Sequence, residues 1–160
     1  MSQTAQVGKK VPALKLEGTN GLQFKLSDYK GQNVVLYFYP KDSTPGCTLE
    51  GQNFRDNLSK FKRRNTIVFG ISRDSIASHE KFKEKQTFKF ELLSDPHEVA
   101  CQLFDVIKMK NMYGKKVRGI ERSTFLIDSQ GKLAQQWRKV KVDGHVEEVL
   151  EAISQLNKKS

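Results

Sequence analysis

No stretch of the 160 residues approaches the roughly 18 consecutive apolar residues that span a bilayer. The first ten residues, MSQTAQVGKK, lack the apolar core of a secretory leader, so no secretory signal is expected. There are only two cysteines, Cys47 and Cys101. Two are too few for a disulfide scaffold or a thiolate zinc cage, and a reducing cytosol is the expected compartment. The three histidines, His79, His97 and His145, show no paired-ligand spacing. No metal site is expected from them, and each reads as a surface or helix-capping residue. Repeats, low-complexity tracts and Pro/Ser-rich linkers are missing too, which argues for one domain over residues 1–160. Acidic residues are outnumbered, 18 against 28 Lys+Arg, for a net charge of +10. The excess is scattered, with its densest stretches at 60–64, 108–118 and 138–141, and no zinc-finger or RNA-recognition signature accompanies it. It reads as a solvated basic surface that favours anionic partners, not as a specific nucleic-acid site.

Aromatics make up 9% and hydrophobic residues 37% of the chain, and they are patterned as in a globular protein. Leu14 and Leu16, then Leu22, Phe24 and Leu26, alternate with polar residues around Thr19-Asn20-Gly21, which predicts a hairpin. Ser27 and Asp28 suit a short helical turn. The run Val34–Tyr39 suits a strand buried on both faces. From Cys47 to about Arg64, Phe54, Leu58 and Phe61 fall at helical spacing. Further elements follow: strand Thr66–Ser72, helix Ser75–Gln86, strand Phe90–Leu93 and helix Pro96–Phe104. A hairpin of Ser123–Ile127 and Lys132–Trp137 and a helix Val146–Leu156 close the chain. Strands alternating with helices argue for an α/β domain on a mixed sheet. The expected fold is thioredoxin-like, extended by an N-terminal β-hairpin.

The informative segment is Tyr39-Pro40-Lys41-Asp42-Ser43-Thr44-Pro45-Gly46-Cys47-Thr48-Leu49-Glu50. It follows a buried strand and opens a helix, where ligands of α/β sheets bind. A thiol in the first helical turn faces free N–H groups and the positive end of the helix dipole, which favour a thiolate. Thr44 can aim its hydroxyl at the same point, and Pro40 can wall the pocket without offering an N–H. Two readings stay open on local physics. Cys47 is a reactive nucleophile, or it is an inert buried thiol behind a turn that merely caps a helix.

The spacing Pro40-x-x-x-Thr44-x-x-Cys47 resembles the peroxiredoxin active-site motif. The surrounding YFYPKDSTPGCTLE resembles the bacterioferritin comigratory protein, or peroxiredoxin Q, branch of that family. The likeness continues through FRDN (54–57), GIS (70–72), LLSDP (92–96) and GIERSTFLID (119–128) and covers nearly the whole chain. It implies a thioredoxin-fold thiol peroxidase for hydrogen peroxide and alkyl hydroperoxides that uses no metal, haem or flavin. It implies that Cys47 is the peroxidatic cysteine, that Thr44 binds the peroxide, that Pro40 shields the thiol and that Arg122 polarises the peroxide. By itself Arg122 reads as an exposed charge at a strand end. Glu50 either holds Arg122 or is a surface acid that complements the helix dipole. The resemblance also implies a monomer.

The chain departs from the branch at the resolving cysteine. Gln52 stands five residues after Cys47, and the helix Ser75–Gln86 has Lys83 and no cysteine. The remaining thiol, Cys101, has the apolar neighbours of a structural cysteine. A bridge from it to Cys47 would require Cα atoms within about 7 Å and hence local unfolding. The expected mechanism is therefore a one-cysteine cycle, with thioredoxin, glutaredoxin or glutathione as external reductant and an internal Cys47–Cys101 disulfide as the minority variant. Three other classes compete. A disulfide reductase wants Cys-x-x-Cys, but the register here reads Cys47-Thr48-Leu49-Glu50. A cysteine hydrolase needs an oriented histidine. A basic binding module predicts steeply salt-dependent retention on polyanions and no peroxide consumption.

Overall fold

The computed structural model describes residues 4–159. Three features of the sequence set the scaffold: the alternating N-terminal strands, two strands apolar on both faces, and the C-terminal hairpin. Strands β1 (Lys15–Gly18) and β2 (Gln23–Lys25) form the expected hairpin, followed by a 3₁₀ turn at Leu26–Tyr29. The central strands are β3 (Asn33–Phe38) and β4 (Thr66–Ser72), with β5 (Leu92–Ser94) beyond them. Strands β6 (Ile107–Met112) and β7 (Lys115–Ile120) make a separate two-stranded ribbon. Strands β8 (Ser123–Ile127) and β9 (Leu133–Trp137) close the main sheet, whose order is β2-β1-β5-β4-β3-β8-β9. β3 runs parallel to β4 and antiparallel to β8. The thioredoxin-like sheet with its added hairpin is thus present.

Alternation along β3 divides the core in two. Val34, Leu36 and Phe38 point to one face, with Phe104, Phe125 and Cys101. Val35, Tyr37 and Tyr39 point to the other, with Cys47, Phe54, Phe61 and Phe82. The helices on this second face are α1 (Pro45–Asp56), α2 (Leu58–Arg63), α3 (Ile76–Gln86) and α5 (His145–Lys158), while α4 (Val99–Leu103) covers the first. Helix α1 lies close to the Phe88 ring because Gly51 has no side chain; a Cβ there would meet Phe88 Cζ at 2.3 Å.

Several expected boundaries move, each for a local reason. The single helix expected over 47–64 is broken at Asn57, whose φ of −110° and ψ of 8° leave the helical range. Its side-chain amide donates to Asn53 O at 2.8 Å, in competition with the backbone ladder. Helix α4 starts at Val99 and not at Pro96. The Asp95 carboxylate accepts from the N–H groups of Val99 and Cys101, each at 2.8 Å, and Glu98 is left-handed with φ 59°. The β6–β7 ribbon was not expected at all. Its turn carries positive φ at Tyr113 (54°) and Gly114 (79°), a hairpin turn in which Asn or Asp usually takes the first place. Among the described residues no helix is long and apolar enough to cross a membrane.

Candidate active site

Strand β3 ends at Phe38, and the chain crosses the end of the sheet as Tyr39–Thr44 before entering α1. Thr44 is the N-cap residue and Pro45 the first helical one, so Cys47 is third in the helix. Ser43, with φ 64°, turns the loop back toward the sheet. Cys47 is buried, while Thr44 and Pro40 beside it are half-buried. The cysteine thus lies in the first turn, whose backbone N–H groups have no partner within the helix. Thr44 Oγ1 donates to Lys41 O at 2.9 Å, which leaves its lone pairs free to accept.

The chain brings Arg122 to this point from between β7 and β8. Its Nη2 donates to Cys47 Sγ at 3.4 Å, and its Nη1 donates to Glu50 Oε1 at 2.6 Å. Of the two readings of Glu50, the structure selects the one that holds Arg122, because Glu50 is 1% exposed. Gly46 makes the approach possible: a Cβ there would lie 3.2 Å from Arg122 Nη2. Burial pushes the Glu50 carboxyl up to about 7, against the opposing pull of Arg122. Its Oε2 and the Tyr37 hydroxyl are the two buried side-chain oxygens without a hydrogen-bond partner among the described residues. The result is a guanidinium fixed by one carboxylate oxygen and aimed at a buried sulfur. Such an arrangement stabilises negative charge at Sγ and on an oxygen arriving beside it.

The other expectations fare differently. Cys101 is 0% exposed and lies against the opposite face of the sheet from Cys47. Burial first, and then Asp95, push its thiol well above the ordinary range. His97 is exposed as expected, but His79 and His145 are buried and not at the surface. His145 Nε2 meets Thr124 Oγ1 at 2.8 Å, and burial, helped by Arg122, lowers it to about 4. His79 Nδ1 meets Asp42 Oδ2 at 2.7 Å, so Asp42 is no mere turn residue. Lys110 on β6 also borders the site. Its ammonium donates to Ile120 O, and burial followed by Arg122 lowers its pKa. No local signal marks these three, because their partners come from other elements.

Known proteins match this architecture closely. The model of the AhpC/TSA family matches residues 7–136. Peroxiredoxin Bcp of Bacillus subtilis is 49% identical over 156 residues, covering 98% of this chain and 99% of that protein. Peroxiredoxin Bcp of Xanthomonas campestris is 53% identical over 140 residues, 88% of each. A mutant of the Xylella fastidiosa peroxiredoxin PrxQ superposes with a TM-score of 0.90 at 44% identity, over 96% of this chain and 98% of that one. A Xanthomonas campestris bacterioferritin comigratory protein, studied for alkyl peroxide reduction, gives 0.87 at 46% identity over 98% and 99%. Fold, motif and near full-length identity agree that the chain belongs to the AhpC/TSA family, in its Bcp/PrxQ branch of thiol peroxidases.

Proposed function

We propose that Cys47 is the peroxidatic nucleophile of this peroxiredoxin and that an external thiol resolves it. The Cys47 thiolate attacks one oxygen of a hydroperoxide held against Thr44 and Arg122. The O–O bond breaks, a sulfur–oxygen bond forms, and the departing oxygen leaves as water or an alcohol after gaining a proton. Cys47 is thereby oxidised to a sulfenic acid. Arg122 stabilises the thiolate and the charge moving onto the departing oxygen, Glu50 orients Arg122, and Pro40 limits the access of water. The observation that carries this reading is the Arg122 bridge between Cys47 Sγ and Glu50 Oε1.

A small thiol or a dithiol protein of the thioredoxin or glutaredoxin kind then condenses with the sulfenic acid. Water leaves and a mixed disulfide forms, which a second thiol reduces. The placement of Cys101 across the sheet supports an external reductant over an internal disulfide. We further read the chain as one domain, acting as a monomer in a reducing compartment. The test is peroxide consumption with dithiothreitol as reductant. Cys47→Ser is expected to abolish it and Cys101→Ala to leave it intact; full turnover in Cys47→Ser would overturn the reading.

A further inference from the structure

The mechanism above uses neither Asp42 nor His79, yet both are buried, at 6% and 0% exposure. Asp42 sits two residues before Thr44 and five before Cys47, on the loop that delivers both. Its carboxylate is fully occupied. Oδ1 accepts from Tyr39 OH at 2.6 Å, and Oδ2 accepts from Ser78 Oγ at 2.8 Å and faces His79 Nδ1 at 2.7 Å. The Asp42 N–H donates to Asp74 Oδ2 at 2.9 Å, and Ser72 Oγ donates to the same oxygen at 2.6 Å. The loop is therefore tied to its own first residue, Tyr39, to the start of α3 and to the turn after β4.

Proton counting shows what His79 contributes. Its Nε2 lies 2.9 Å from Leu93 O, a carbonyl that only accepts, so Nε2 carries a hydrogen. The contact between Nδ1 and the Asp42 oxygen then needs a second proton. Imidazolium with carboxylate satisfies it, and so does neutral imidazole with carboxylic acid. Burial raises the Asp42 pKa, but the bonds from His79, Tyr39 and Ser78 outweigh it and leave it lowered; either arrangement places a proton between Nδ1 and Oδ2. The side chains of Asp42, Asp74 and His79 offer ligand-type atoms within 4.8 Å of one another. Both His79 nitrogens and both Asp42 oxygens are already engaged, so the cluster is a closed hydrogen-bond network.

We propose that His79 is a positioning residue for peroxide reduction: through its proton-bearing bond to Asp42 it clamps the loop that places Thr44 and Cys47 against Arg122. The loop depends on such a clamp. Lys41 and Ser43 on either side of Asp42 are exposed, Ser43 holds a left-handed φ, and the Thr44 side chain makes no capping bond to the N–H groups of α1. A loop freed at Asp42 loses the geometry in which Cys47 meets the guanidinium. A misplacement of about 1 Å is worth about 100-fold in rate.

Two near-isosteric replacements separate the clamp from general stability. In His79→Asn the amide nitrogen can take the place of Nδ1 and donate to Asp42, while Leu93 O loses its donor. In His79→Gln the amide can reach Leu93 O, while Asp42 loses its donor. Each removes one of the two contacts of His79 and keeps the other, so their stability losses should be similar. The second-order rate constant of Cys47 with hydrogen peroxide and amide hydrogen exchange over residues 41–48 are measured for both. The expected result is a rate close to wild type in the Asn variant. In the Gln variant the rate falls by about 10- to 100-fold and loop exchange accelerates. Equal rates in the two variants, whether both intact or both reduced, would overturn the proposal. Asp42→Ala reads the same clamp from the loop side, should the buried histidine tolerate no change. It should lose rate as the Gln variant does, and an unaltered rate refutes the clamp. The inference rests on the assignment of Cys47 and Thr44 above. A wild type that consumes no peroxide would sink that assignment, whereas an active wild type with indifferent His79 variants would sink the clamp alone.

Discussion

Replacing Arg122 by Gln removes the guanidinium and leaves a neutral amide two bonds shorter. A unit charge 3.4 Å from Sγ, at the effective dielectric of a protein site near the surface, is worth on the order of 5 kcal/mol to a thiolate. Part of this is lost to screening, because the Arg122 side chain is 16% exposed. The expected effect is that of deleting one preorganised donor, a loss of about 10²- to 10³-fold in kcat/KM for peroxide. Stability should suffer less. A stranded buried carboxylate costs several kcal/mol, but burial already holds Glu50 near 7, and without Arg122 it is expected to take up a proton. The cost is then about 1–3 kcal/mol for an imperfect hydrogen bond, or roughly 2–12 °C in Tm. The assay pairs peroxide consumption with thermal unfolding for Arg122→Gln and for Arg122→Gln/Glu50→Gln. The double variant should recover stability without recovering rate. A single variant within about threefold of the wild-type rate, or a double variant with restored rate, would refute the role of the cation.

Three further outcomes are expected. Between about 4.5 and 7 the folded chain binds more protons at Glu50 than the unfolded one does, so this group's share of stability falls as pH rises. His145, lowered to about 4, does the reverse, and its share falls as pH drops from about 6.5. Each amounts to about 3 kcal/mol, and the two oppose one another over most of that range. Urea titrations should therefore show stability rising with pH in Glu50→Gln and falling in His145→Gln; unchanged profiles in both would contradict the burial argument. Gly46→Ala should push the guanidinium off Cys47 by a few tenths of an ångström and slow peroxide reduction several-fold with little change in Tm. Finally, Cys101→Ala should lose some stability through its small cavity while dithiothreitol-supported turnover persists, and loss of turnover would restore Cys101 as a redox partner.

The parts of this molecule that announce themselves in sequence are those decided by near neighbours. Val34–Tyr39 reads as a strand because it is a continuous apolar run. Cys47 reads as part of a first helical turn because Phe54, Leu58 and Phe61 follow it at helical spacing, although the helix itself begins two residues earlier, at Pro45. The Asn20-Gly21 turn fixes the first hairpin for the same kind of reason. What stays hidden is set by long separations. Arg122 meets Glu50 and Cys47 across 72 and 75 residues, and nothing around it distinguishes it from other strand-end cations. Only the family resemblance singles it out. Asp42 and His79, 37 residues apart, look like a turn residue and a surface histidine until the sheet brings them together. The β6–β7 ribbon carries no such signal, because its lysine-rich strands and their turn leave four large hydrophobics, Met109, Met112, Tyr113 and Val117, exposed. No buried face imposes an alternation there.

The account turns on Cys47 working alone, and the most direct check is the intact mass of the reduced protein after one equivalent of hydrogen peroxide, with no thiol present. A gain of about 16 Da, or about 32 Da on over-oxidation, located on the peptide that carries Cys47 with Cys101 unmodified, is the predicted result. A loss of about 2 Da would reveal a Cys47–Cys101 disulfide formed across the sheet and contradict the one-cysteine cycle. An unchanged mass would contradict the peroxidase site itself.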